Sequence, residues 1–216
     1  MICKVKAWYE TEENVHEMKS WVDKGLKIWE ERVSAQFPPC AHILDIGCGM
    51  GREAFALSRR GFALTGLDIS EEAIHQAAEL AGEKGLSIPF YVYDGHHFPF
   101  ADGAFDVVLI WAQTLGLLYG NAYKEEIFSE CRRVLAADGL LSFSGHDADF
   151  LMGNYHEYVE DGRFYPYRDH TVYWETFRAE TMTALAEKSG FTVLSCEKGE
   201  IRRPEDGTVL TCLCKK

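Results

Sequence analysis

Five short apolar runs, at 42–46, 62–67, 88–93, 105–111 and 139–145, alternate with helix-like stretches at 50–60, 70–84 and 122–136. The runs are apolar almost throughout rather than every second residue, so both faces of each strand are covered. Strands alternating with helices give a parallel sheet with helices on both faces, and right-handed crossovers make it doubly wound. The fold class is therefore α/β and Rossmann-like. Ser70, followed by Glu71 and Glu72, reads as a helix start, because its hydroxyl caps and the acids meet the positive end of the dipole. Gly61 and Gly85 stand where helix C-caps fall. A length of 216 residues suits a single domain, 1–216.

Two segments flank this core. Val15, Met18, Val22, Leu26, Trp29 and Val33 are spaced by three or four, which predicts one amphipathic helix over 12–34. Phe37-Pro38-Pro39 stops it. After the run at 139–145 the alternation breaks, and residues 147–177 hold nine aromatics with seven acids against two arginines. So long and aromatic an insertion exceeds what a connector needs and reads as a lid. A helix over about 178–189, a strand from Phe191, a turn at Arg202–Gly207 and a last strand around 208–214 complete the chain.

Acidic residues number 34 against 22 basic, a formal charge of −12. Such a chain repels a phosphate backbone, which argues against a nucleic-acid partner. No apolar run approaches the roughly 20 residues that cross a bilayer, so no membrane partner is expected. The first ten residues lack the apolar stretch of a signal peptide. Seven cysteines without disulfide-like spacing point to buried thiols in a reducing cytoplasm. Cys212 and Cys214 fall on one face of an alternating strand.

The sharpest motif is Asp45-Ile46-Gly47-Cys48-Gly49-Met50-Gly51, between the first strand and the helix after it. Glycines there let the backbone turn tightly and approach a ligand, at the strand edge where open α/β sheets bind one. Asp68, at the end of the second strand, can accept from both hydroxyls of a ribose. The pattern is G-x-G-x-G with an acid two residues ahead and Arg52 in the place of a third fingerprint glycine. That suits a cationic ligand better than a pyrophosphate.

The chain resembles the class I S-adenosylmethionine-dependent methyltransferases that act on small molecules. Asp45 to Gly51 matches that family's first motif and Asp68 its ribose acid. Asp94-Gly95-His96-His97-Phe98-Pro99-Phe100 with Phe105-Asp106-Val107-Val108 resembles a third block, Phe98 standing for the usual leucine. The resemblance implies a seven-stranded sheet in the order 3-2-1-4-5-7-6 with the last strand antiparallel. It implies S-adenosylmethionine as cofactor and S-adenosylhomocysteine as product, with Asp45, Gly47, Cys48, Gly49, Gly51, Asp68, Ile69, Asp94, Gly95 and the His96 backbone around them. Trp111 is a further candidate for that pocket, or for the core.

In-line methyl transfer from a sulfonium needs mainly alignment, so a base is required only if the acceptor must lose a proton. His146 and Asp147, at the mouth of the fifth strand, are the candidate base pair. Gln113, Tyr119 and His156 are candidates for the acceptor site and lid. After the fourth strand the chain reads Trp111-Ala112-Gln113-Thr114, unlike the Pro-Pro-aromatic motif of base and glutamine N-methylation. No metal is expected. The expectation is O-, N- or S-methylation of a small molecule by a monomer or homodimer. The alternatives are a non-catalytic cofactor-binding subunit, or a protein or RNA methyltransferase. The acids of 147–177 argue against an acidic acceptor.

Overall fold

The computed structural model describes residues 2–154, 163–166, 172–203 and 206–216. Its strands are β1 (His42–Ile46), β2 (Ala63–Asp68), β3 (Phe90–Val92), β4 (Phe105–Ile110), β5 (Leu135–Asp147), β6 (Phe164–Pro166), β7 (Tyr173–Phe177), β8 (Thr192–Glu200) and β9 (Thr208–Lys215). Its helices are α1 (Ile2–Tyr9), α2 (Glu12–Trp21), α3 (Ile28–Ser34), α4 (Arg52–Ser58), α5 (Glu71–Glu83), α6 (Asn121–Val134), α7 (Ala148–Asn154) and α8 (Ala179–Lys188). Strands β3-β2-β1-β4-β5 are parallel neighbours, and β9 joins β5 antiparallel with β8 outside it. That is the expected seven-strand order, with its antiparallel member between β5 and β8.

The strand count is corrected to nine. The aromatic segment supplies the extra pair. Strands β6 and β7 form an antiparallel ribbon, and β7 pairs with the last two residues of β5, His146 with Thr176 and Asp147 with Phe177. Strand β5 reaches it because it is 13 residues long and runs past the end of β4.

The two faces of the sheet carry separate cores, as a double-wound sheet requires. Val108 and Ile110 face a cluster with Ile127, Phe128, Cys131 and Val134 of α6 and Met182 of α8. Val107 and Leu109 face the other way, onto Trp29 of α3, Ala54 and Phe55 of α4, and Leu80 of α5. Ser70 caps α5 as expected, its Oγ accepting Ala73 N–H at 3.2 Å.

The single helix expected over 12–34 is instead broken. Helix α2 ends at Trp21, a 3-10 turn covers Val22–Lys24, and Gly25 at φ +66° turns the chain before α3. A further helix, α1, precedes them. The apolar spacing is continuous across the break, so periodicity alone reads one helix where glycine makes two.

The disulfide expectation is also corrected. Cys196 and Cys212 are cross-strand partners of β8 and β9 and are joined by a disulfide. Register, not sequence spacing, makes that neighbourhood. Cys48, Cys131 and Cys214 are buried thiols, while Cys3 and Cys40 are exposed. Among the described residues no helix is long and apolar enough to cross a membrane.

Candidate active site

The carboxyl ends of β1, β2 and β4 open into a cleft of about 870 Å³. Its floor is the turn between β1 and α4. Gly47 lies at φ +70° and Gly49 at φ +51°, in the left-handed region that side chains avoid. A Cβ on Gly47 would stand 2.6 Å from the Thr114 side chain, so glycine is needed for the turn to pass under the segment after β4. Gly49 faces the cleft, with Met18 Sδ 3.8 Å from where its Cβ would be.

Asp68 closes the turn from β2. Its Oδ2 accepts Gly49 N–H and its Oδ1 accepts Ser70 N–H, each at 2.9 Å. A carboxylate offers about four lone-pair sites, so each oxygen can also accept a ligand hydroxyl. Burial raises the Asp68 pKa, and the backbone N–H bonds oppose that. Asp45 is buried, and its Oδ2 has no hydrogen-bond partner among the described residues. Burial first, then the neighbouring Glu53 carboxylate, pushes Asp45 well above the carboxylate range. The neutral acid is the form favoured there, and Asp45 is not among the described residues that line the cleft, so it presents no anion to a ligand.

Arg52 braces this floor. Its guanidinium takes Glu30 bidentately at 2.8 Å, reaches the Gly25 carbonyl at 2.7 Å, and pairs with Glu53. The residue in the place of a third fingerprint glycine is thus the tie between α4 and α3. Helices α1 and α2 roof the cleft with Ile2, Val5, Trp8 and Met18. Ser70 Oγ donates to Glu10 at 3.2 Å and Lys6 pairs with Glu71 at 3.1 Å, which hold α1 against the start of α5.

Gly47, Cys48, Gly49, Asp68, Ile69 and Gln113 line the cleft. Gly51 is instead the N-cap of α4 at φ +85°. Asp94 shapes its loop, Oδ1 accepting the N–H groups of His96 and His97 at 2.7 and 2.8 Å. Gly95 O accepts the Tyr123 hydroxyl at 2.6 Å, and Ile2 packs on that glycine. Tyr93 and Tyr123 themselves line the wall there. Sequence reasoning missed them, although Tyr93 directly precedes Asp94. It also missed Lys27, whereas Trp174 is one of the aromatics of the 147–177 segment read as a lid.

Three expectations are corrected. Trp111 is not on the cleft wall. It is 1% exposed, packs edge-on to Trp29 at 5.0 Å and stacks with Phe37, and donates to Ser142 Oγ at 2.8 Å. Its strand position turns it into the core. His146 and Asp147 do not pair, because consecutive strand residues point to opposite faces. Asp147 accepts from Thr208 Oγ1 and Lys198 Nζ, both at 2.9 Å, and from Asp149 N–H at 3.1 Å. His146 stands 5.3 Å from the Trp174 ring. Burial, then the Lys27 ammonium, lowers its pKa to about 4, so it is neutral at pH 7. Tyr119 donates its hydroxyl to Tyr173 O and anchors the ribbon rather than facing the cleft. His156 lies outside the described residues. Among the described residues no group of three His, Cys, Asp or Glu side chains could hold a metal ion.

Residues 43–139 match the methyltransferase domain family. The strand order, the glycine turn with its two acids and that match, which takes in just under half of the chain, are features that the chain shares with the class I S-adenosylmethionine-dependent methyltransferases, which it resembles. The chain is 28% identical to the YqeM protein of Bacillus subtilis (strain 168) over 170 residues, 78% of this chain and 67% of that one. It is 38% identical over 101 residues to a ubiquinone biosynthesis O-methyltransferase of Caulobacter sp. (strain K31), 46% of this chain and 38% of that one. The chain therefore spans about two thirds of the first relative and well under half of the second. Its fold superposes on the 1,6-didemethyltoxoflavin-N1-methyltransferase of Burkholderia thailandensis with a TM-score of 0.73 at 19% identity, covering 99% of this chain and 88% of that one.

Proposed function

We propose that this enzyme methylates a small molecule on oxygen, nitrogen or sulfur by in-line transfer. The observation that carries it is the roofed cleft. A volume of about 870 Å³ is of the size that holds a cofactor and a small partner. Helices α1 and α2 cover it, where a macromolecular acceptor needs an open face. Bound S-adenosylmethionine supplies a methyl already activated on a sulfonium. Asp68 would hold the ribose, the Gly47–Gly49 backbone the amino-acid arm, and Tyr93 and Tyr123 the adenine. The chain then contributes alignment and exclusion of water. The ubiquinone and didemethyltoxoflavin relatives, by their names, act on small molecules. We place the enzyme in the cytoplasm as a monomer or homodimer, without nucleic-acid or membrane partners.

The test is methyl-labelled S-adenosylmethionine with a cell extract separated into low-mass and macromolecular fractions. Label should enter a low-mass product. Label entering only protein or RNA contradicts the reading.

A further inference from the structure

We propose that the methyl acceptor is a small apolar acid whose carboxylate is held by Lys27, Arg202 and the Gln113 amide at the end of the cleft away from Asp68. The inference rests on the methyltransferase reading and names the acceptor class of that same site.

All three donors line the cleft. Lys27 follows the Gly25 break, and its side chain is 12% exposed. The carboxylate near it, Glu30 Oε1, is 3.8 Å away, beyond hydrogen-bond reach. Glu30 is already taken by both guanidinium nitrogens of Arg52 and by Lys27 N–H at 2.6 Å. Arg52 is shared between Glu30 and Glu53, so the Lys27 ammonium balances that buried group, yet its Nζ donors have no hydrogen-bond acceptor among the described residues and are open to a ligand oxygen. Arg202 is fixed beside it, Nη2 donating to the carbonyls of Lys24 at 2.6 Å and Gly25 at 3.3 Å. Those bonds satisfy one nitrogen without neutralising the guanidinium. Gln113 Nε2 is a buried donor without an acceptor among the described residues. Ala112 and Gln113 are held at φ +50° and +64°, a strained pair of the kind found at ligand sites. Met18, Trp21, Trp174 and Ile201 supply apolar walls for the body of the acid.

Of the acids on this wall, Asp206 is occupied by Arg203 at 2.9 Å and Glu53 by Arg52, and Glu17 lines the cleft from α2. The expectation that acidic acceptors are disfavoured counted charge along 147–177. Lys27 and Arg202 line the cleft, so the proposal departs from that expectation.

The test is titration calorimetry on protein saturated with S-adenosylhomocysteine, using matched probes: benzoate, phenylacetate and hexanoate against their amides. At least one acid should bind tenfold or more tighter than its amide. Lys27→Met and Arg202→Met should each reduce that preference several-fold, with S-adenosylhomocysteine affinity as the folding control. Equal binding of acid and amide, or no acid binding at all, overturns the proposal. So does a tenfold loss of S-adenosylhomocysteine affinity in both variants with the acid preference intact, which would assign these cations to the cofactor's own carboxylate. Failure of the wild type to bind S-adenosylhomocysteine instead removes the methyltransferase reading, and with it the premise.

Discussion

Asp45 and Asp68 end adjacent strands and do different work. Asp68 takes two backbone N–H groups and keeps lone pairs toward the cleft, whereas Asp45 is buried with an oxygen that has no partner among the described residues. The same contrast applies to His146. Its neutral form is favoured in the folded chain, with a pKa of about 4 against 6.5 for the free side chain. The sign follows directly. Above pH 6.5 the group is neutral folded and unfolded and has no effect. As pH falls from 6.5 towards 4 the unfolded chain binds a proton that the folded chain refuses, and stability is lost. Allowing for its partial exposure, the loss is about 2 kcal/mol. Urea unfolding at both ends of that window should show it in the wild type, and His146→Gln should lose that part of the pH dependence.

At the scale of elements, Arg52 is the fastening between α4 and the N-terminal helices. It satisfies Glu30, Glu53 and the Gly25 carbonyl at once. Arg52→Met keeps the volume but leaves two buried carboxylates without their cation. We expect a loss of about 3–5 kcal/mol, read as a lower denaturation midpoint. Glu30→Gln should cost less, because Arg52 retains Glu53. Trp111 belongs to this scale too. It locks β4 to Trp29 of α3 and to Ser142 of β5, so its part in the cleft is to fix the strand end that presents Gln113.

At the scale of the whole molecule, the sheet was legible because each strand is a run of its own and each helix has a local start or stop. Strands β1, β2 and β4 fall within a residue of the apolar runs that announced them. The glycine turn and Asp68 were legible for the same reason, since their roles follow from backbone position. What was hidden depends on pairing across distance. The β6–β7 ribbon, the Cys196–Cys212 contact, the Lys27–Arg202 cluster and the opposite facing of His146 and Asp147 arise only once the strands are in register. The net charge of −12 shows the same limit, because a sum over the chain does not say where its cations stand.

The central claim is that the turn at Gly47–Gly51 and Asp68 hold S-adenosylmethionine and its product. Titration calorimetry with S-adenosylhomocysteine tests it most directly. The wild type should bind one equivalent, and Asp68→Ala should bind about 1–3 kcal/mol more weakly, because ribose hydroxyls lose their acceptor. No binding by the folded wild type, or equal affinity in the two proteins, would contradict it.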